Sequence, residues 1–78
     1  MQKFEIIETY HGEDGKSYSH FLGTLPELIE TLNKRYNNRL LKRRDGTQRE
    51  IATAHALCWT LNNIQPGPIS YAFSYLPN

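Results

Sequence analysis

The sequence predicts an α+β domain, a β-hairpin followed by two helices and a C-terminal strand (ββααβ). Its three-stranded, mainly antiparallel sheet is covered on one face by the helices. Three observations carry this reading. Apolar and polar residues alternate near both ends of the chain, over Lys3–His11 and Ile69–Leu76, which is the period of a strand. The middle carries apolar residues at three- and four-residue spacing, in two stretches that each open with Thr-x-x-Glu. Breaks rich in Gly, Asn or Pro separate the stretches. With 78 residues, 1–78 are expected to form one domain that buries only about 60–65% of its unfolded surface.

In chain order, Lys3–His11 places Phe4, Ile6, Glu8 and Tyr10 on one face and Glu5, Ile7, Thr9 and His11 on the other. Glu13-Asp14-Gly15 reads as a three-residue loop with Gly at the position that needs positive φ. Lys16–Leu22 then returns with Glu8 opposite His20, Tyr10 opposite Tyr18 and Ile6 opposite Leu22. That register puts Tyr18 and Leu22 on the core face. Gly23 breaks the strand, and Thr24 with Glu27 forms a capping box with Pro26 in the first turn. Leu25, Leu28, Ile29, Leu32 and Tyr36 form the buried stripe of this helix, and Asn37-Asn38 its C-cap. In Arg39–Gly46, Leu40 and Leu41 can anchor to the core while Lys42, Arg43 and Arg44 project outward; a continued helix and a short strand both remain open.

Thr47–Asn63 reads as the central helix. Thr47 and Glu50 have capping-box spacing, and Ile51, Ala54, Cys58 and Leu61 share one face. Ala52, Ala56, Leu57 and Trp59 spread apolar surface around the rest, so the helix is expected to be covered on more than one side. Gln65-Pro66-Gly67-Pro68 is a rigid turn. In Ile69–Leu76, Ile69, Tyr71, Phe73 and Tyr75 face the helices and Ser70, Ala72 and Ser74 face outward.

Composition bounds the function. Nine aromatics and 38% apolar residues argue against disorder. One cysteine allows no internal disulfide and supplies no zinc pattern. The chain has no apolar run long enough to span a membrane and no signal-peptide core, so a cytoplasmic location is expected. Met1 and the short tail suggest a complete small protein.

The net charge of +1 hides a segregation. Residues 1–33 carry Lys3 and Lys16 against Glu5, Glu8, Glu13, Asp14, Glu27 and Glu30, a net −4. Residues 34–50 carry Lys34, Arg35, Arg39, Lys42, Arg43, Arg44 and Arg49 against Asp45 and Glu50, a net +5. The basic segment Lys34–Arg49 leads into the expected N-terminus of the central helix, where backbone N–H groups and the dipole favour anions. Arg39, Lys42, Arg43, Arg44 and Arg49 are therefore the expected partner-binding residues. An acidic protein surface and a phosphate backbone both fit, and a merely solvated loop is the bland alternative. No aromatics interleave with these charges, which counts against a nucleic-acid module.

Other candidates are thinner. His55 and Cys58, three apart on one helix, could pair as base and nucleophile or share a metal. No second ligand pair or orienting carboxylate stands at a recognisable spacing, so a structural role is expected for both. Glu8 and His20 could form an acid/base pair across the hairpin, and His11 is expected to be solvated. Phosphate-loop, HExxH and GxSxG sequences are absent.

Thr47-Gln48-Arg49-Glu50-Ile51-Ala52 resembles the opening of the second helix in phage-repressor helix-turn-helix domains. The resemblance covers six residues. Where that motif turns, this chain has Ala56 in an uninterrupted helical run, and its recognition helix would have to cross Pro66 and Pro68. No family is assigned.

The expected function is that of a small non-enzymatic interaction module, a regulator or inhibitor of phage or mobile-element type, needing no cofactor or metal and binding a protein partner. The second reading is a nucleic-acid-binding protein using Lys34–Arg49. The third is a small hydrolase or metal protein around His55 and Cys58. An open sheet edge, at Met1–His11 or Ile69–Leu76, is expected to allow a weak homodimer.

Overall fold

A computed structural model describes residues 1–64 and 67–77. The elements are strands β1 (Lys3–Gly12) and β2 (Gly15–Thr24), helices α1 (Leu25–Arg35) and α2 (Ala54–Ile64), and strand β3 (Ile69–Tyr75). The α+β class stands, as does a three-stranded sheet that is antiparallel throughout. The helices do not simply follow one another, because the non-helical residues 36–53 lie between them. Of the Pro-rich turn, Gln65 and Pro66 lie outside the described residues.

The strand order is β2-β1-β3. The N-terminal strand is therefore the middle of the sheet, and the expectation that it could be an open edge is corrected. The edges are β2 and β3.

The hairpin is one residue tighter than its sequence suggests. Gly12 pairs with Gly15, so only Glu13 and Asp14 form the connection, and the register becomes Glu8–Ser19, Ile6–Phe21 and Thr9–Tyr18. A slip of one residue turns a strand over. Phe21 packs against the core, while Tyr18 and Leu22 are 59% and 63% exposed. Packing explains why this register wins. Phe21 lies beneath the Arg35 guanidinium, 5.5 Å from the ring centre. Gly23 sits where a Cβ would come within 3.3 Å of the Glu27 side chain.

The first capping box forms as expected. Thr24 N–H donates to Glu27 Oε1 at 2.9 Å, and Glu27 N–H donates to Thr24 Oγ1 at 3.4 Å. Leu28 and Leu32 are the buried residues of α1. Beyond its cap at Tyr36, Asn37 and Asn38 take left-handed φ of 54° and 66°, a conformation Asn tolerates.

The second box does not open a helix. Thr47 instead bonds back to Asp45 Oδ1, through N–H at 2.9 Å and Oγ1 at 2.7 Å. Arg43 N–H donates to Thr47 O, Arg49 N–H to Leu41 O, and Gly46 has a φ of 90°. Residues 41–49 are thus a small hairpin turning at Arg44-Asp45, with Lys42 bridged to Gln48. A local side-chain turn has outcompeted the helix. α2 starts seven residues later than expected, capped by Thr53, whose Oγ1 accepts Ala56 N–H at 3.0 Å.

α2 buries Ala54, Leu57, Cys58, Thr60 and Leu61 along one side, while Trp59 is 63% exposed. Cover on several sides is therefore not found. The centre of the core is formed by Ile6 from β1, Leu28 and Leu32 from α1, Leu57 and Leu61 from α2, and Leu40 from the connection, all fully buried. Leu40, with Tyr36 and Ile51 packed against the same core, ties residues 36–53 down. Tyr71 is buried on the helix side of β3, and Ser70, Ala72 and Ser74 face outward as expected. Among the described residues, no helix is long and apolar enough to cross a membrane.

Candidate functional site

The small hairpin folds back over the ends of both helices. Arg39, Lys42, Arg43, Arg44 and Arg49 there line one concavity of about 850 Å³, together with Asn37, Asn38, Asn63 and Ile64. The sequence-selected cations are brought together, but not where the sequence suggested. The walls come from the segment after α1 and from the last residues of α2, not from a helix N-terminus. At a C-terminus the carbonyls and the dipole favour cations. Arg39 Nη2 donates to Ile64 O at 3.4 Å, and Arg49 Nη1 donates to Leu40 O at 3.0 Å and Arg39 O at 3.4 Å. These contacts gather the arginines. They also correct the argument that a helix N-terminus would itself attract the anion.

The five cations divide by their bonds. Arg49, half-buried, braces the backbone of residues 39–40, and Arg43 braces its own turn through Thr47 Oγ1 at 3.3 Å and Gln48 O at 3.0 Å. Lys42 and Arg44 are exposed and make no side-chain bond or ion pair among the described residues. The nearby acid, Asp45, is held below the usual carboxylate range by its bonds to Thr47 first and by Arg43 in smaller part. Among the described residues Asp45 makes no ion pair with the cluster, and the five cations of residues 39–49 outnumber this one carboxylate, so the segment around the concavity is net positive.

Other candidates separate. Cys58 is buried, and desolvation pushes its thiol up to about 11, so it is protonated near neutral pH. His55 lies on the exposed side of α2. Glu8 and His20 lie on opposite faces of the sheet: His20 Nδ1 pairs with Glu5 Oε2 at 3.0 Å on the outer face. His11 is exposed and bonded to Ser70 Oγ at 2.9 Å. Among the described residues, no three His, Cys, Asp or Glu side chains converge as metal ligands would.

Sequence reasoning missed what Glu8 does. It points toward the helices and is only 6% exposed. Its Oε1 accepts Arg35 Nη2 at 2.8 Å, and its Oε2 accepts Tyr71 OH at 2.6 Å and Tyr36 OH at 3.5 Å. Burial first, and the Glu8 charge second, push the Tyr36 phenol up from its ordinary value. The signal was available: Glu8 is the one acid in the alternating row Phe4, Ile6, Tyr10. With every buried side-chain N and O atom hydrogen-bonded among the described residues, this cluster reads as a clamp between α1, β1 and β3.

Comparison with family models, curated proteins and solved structures finds no match to this chain.

Proposed function

We propose that this chain is a non-enzymatic interaction module, a cytoplasmic regulator or inhibitor of phage or mobile-element type, that holds an acidic surface of a protein partner in its basic concavity. The observation that carries this reading is the convergence of Arg39, Lys42, Arg43, Arg44 and Arg49 on one hollow, with no carboxylate ion-paired to any of them among the described residues. Cations left unpaired on a concave surface raise the local positive potential and speed the approach of an anionic partner. The three asparagines in the lining offer amides that can donate to carboxylate oxygens as well as accept from backbone N–H.

The test is capture from the native host lysate, with and without nuclease, by the natural protein and by a Lys42→Glu, Arg44→Glu variant. A protein retained after nuclease by the first and lost by the second supports the reading. Equal capture by both removes it.

One observation favours nucleic acid as a second reading. Trp59 is exposed on α2 one turn before Asn63, which lines the concavity and whose amide donates to Trp59 O at 2.6 Å. An aromatic face beside a basic hollow suits a stacked base. Loss of all captured material on nuclease treatment, with binding that falls steeply as salt rises, would put this reading first.

A further inference from the structure

The two edges of the sheet are finished differently. His11 N–H donates to Pro68 O at 2.6 Å, and Leu76 N–H donates to Lys3 O at 2.9 Å. Odd-numbered residues of β1 therefore turn their backbone groups to β3, and even-numbered ones turn theirs to β2. In the observed register, Tyr10, Glu8 and Ile6 of β1 meet Ser17, Ser19 and Phe21 of β2. The backbone groups of Lys16, Tyr18, His20 and Leu22 must then point away from β1, along the free edge.

At the other edge, the backbone of Tyr71, which points away from β1, is capped. Asn62 Oδ1 accepts Tyr71 N–H at 2.8 Å, and Asn62 Nδ2 donates to Tyr71 O at 3.1 Å, so one side chain imitates a neighbouring strand. Nothing equivalent covers β2 among the described residues. Its stretch Ser17–Leu22 contains no Pro, Lys or Arg, the usual protections of an exposed edge.

We infer that β2 is an interaction surface for a second copy of this chain, which adds its own β2 antiparallel to make a six-stranded sheet. Self-complementarity selects this occupant over a foreign strand. An antiparallel copy centred on His20 sets Tyr18 against Leu22 of the second copy, and Leu22 against its Tyr18. These two outer-face residues, 59% and 63% exposed, stay uncovered in the monomer. The contact is two-fold and uses one patch on each copy, so it closes at a dimer. It is also short, so association is weak. The surface shares no residue with the basic concavity and stands independently of the function proposed there.

Sedimentation of the full chain across a concentration series tests the inference, with amide hydrogen exchange as a second measurement. The natural protein is expected to form a dimer in the micromolar range or above, with Tyr18, His20 and Leu22 amides gaining protection as concentration rises. Tyr18→Lys with Leu22→Lys sets like charges across the seam and should weaken the dimer roughly ten-fold. Tyr18→Lys with Leu22→Glu sets opposite charges at the same positions and should restore it, a result that partial unfolding could not give. A strict monomer at every concentration overturns the inference. So does a dimer indifferent to both variants, or one whose β2 amides stay unprotected.

Discussion

Two arginine-bearing regions of this small molecule use the same side chain for opposite ends. At the Glu8 cluster, Arg35 reaches a carboxylate that is almost wholly buried, and two tyrosine hydroxyls complete its shell. At the concavity, four arginines and Lys42 gather around backbone carbonyls and Asn side chains with no carboxylate ion-paired to any of them among the described residues. The first arrangement spends its charge inside the fold, where removing one member leaves the others stranded. The second keeps its charge available to water or to a partner. Burial of the counter-charge therefore separates a structural arginine from one free to act.

Breaking the clamp should give the largest effect. Glu8→Ala removes the acceptor of Tyr71 OH and the mate of Arg35, and is expected to cost about 2–4 kcal/mol. Arg35 is half-exposed and can turn to water, which keeps the loss below that of a fully buried pair. Urea unfolding measures it. A loss as small as that of the concavity variants below would erase the distinction between the regions. Tyr71→Phe removes one hydroxyl and should cost about 1–2 kcal/mol.

The clamp also has a signature at high pH. Because the folded Tyr36 phenol titrates above its ordinary value of 10.0, the stability linked to it is complete below that value. It is lost as pH rises through the folded value. The unfolding midpoint should therefore fall more steeply above pH 10 in the natural protein than in a Tyr36→Phe variant. Parallel curves would show that burial and the Glu8 charge together do not raise the Tyr36 phenol.

Thr24 and Thr47 show how far the sequence could be read. Both begin Thr-x-x-Glu, but only Thr24 caps a helix. After Thr24 come Leu25 and Pro26, which suit a first turn, and a stripe that the core accepts at Leu28 and Leu32. Before Thr47 stands Asp45-Gly46, a turn sequence whose carboxylate takes the Thr47 N–H first. The competing signal was in the chain, two residues upstream, and a motif read forward overlooks it. The hairpin register was legible only in part, because Phe21 and Leu22 are both apolar and only packing on α1 chooses between them. The membership of the basic cluster was legible from charge alone. Its place at the helix ends was not, because that depends on how residues 36–53 fold over α1 and α2.

Cys58 sits between the extremes. Its thiol is buried and protonated near neutral pH, so alkylation of the native protein should be far slower than of the unfolded chain. Cys58→Ala should cost about 1 kcal/mol and leave partner binding intact. Fast native labelling would return the thiol to the list of reactive groups.

The smallest stability effect belongs to the concavity, and it can be divided within the site. The Lys42 and Arg44 side chains hold no bond among the described residues, whereas that of Arg43 donates to Thr47 Oγ1 and Gln48 O. Lys42→Glu with Arg44→Glu removes two of five crowded like charges and breaks no contact, so the unfolding free energy should move by less than about 0.5 kcal/mol in either direction. Arg43→Glu with Arg44→Glu also loses two loop bonds, so it should be the less stable of the two variants by a few tenths of a kcal/mol. If the cluster binds an anionic partner, both variants must lose that binding together even though their stabilities differ. Loss only in the Arg43 variant would mean that the turn geometry, and not the charge, is what the partner reads.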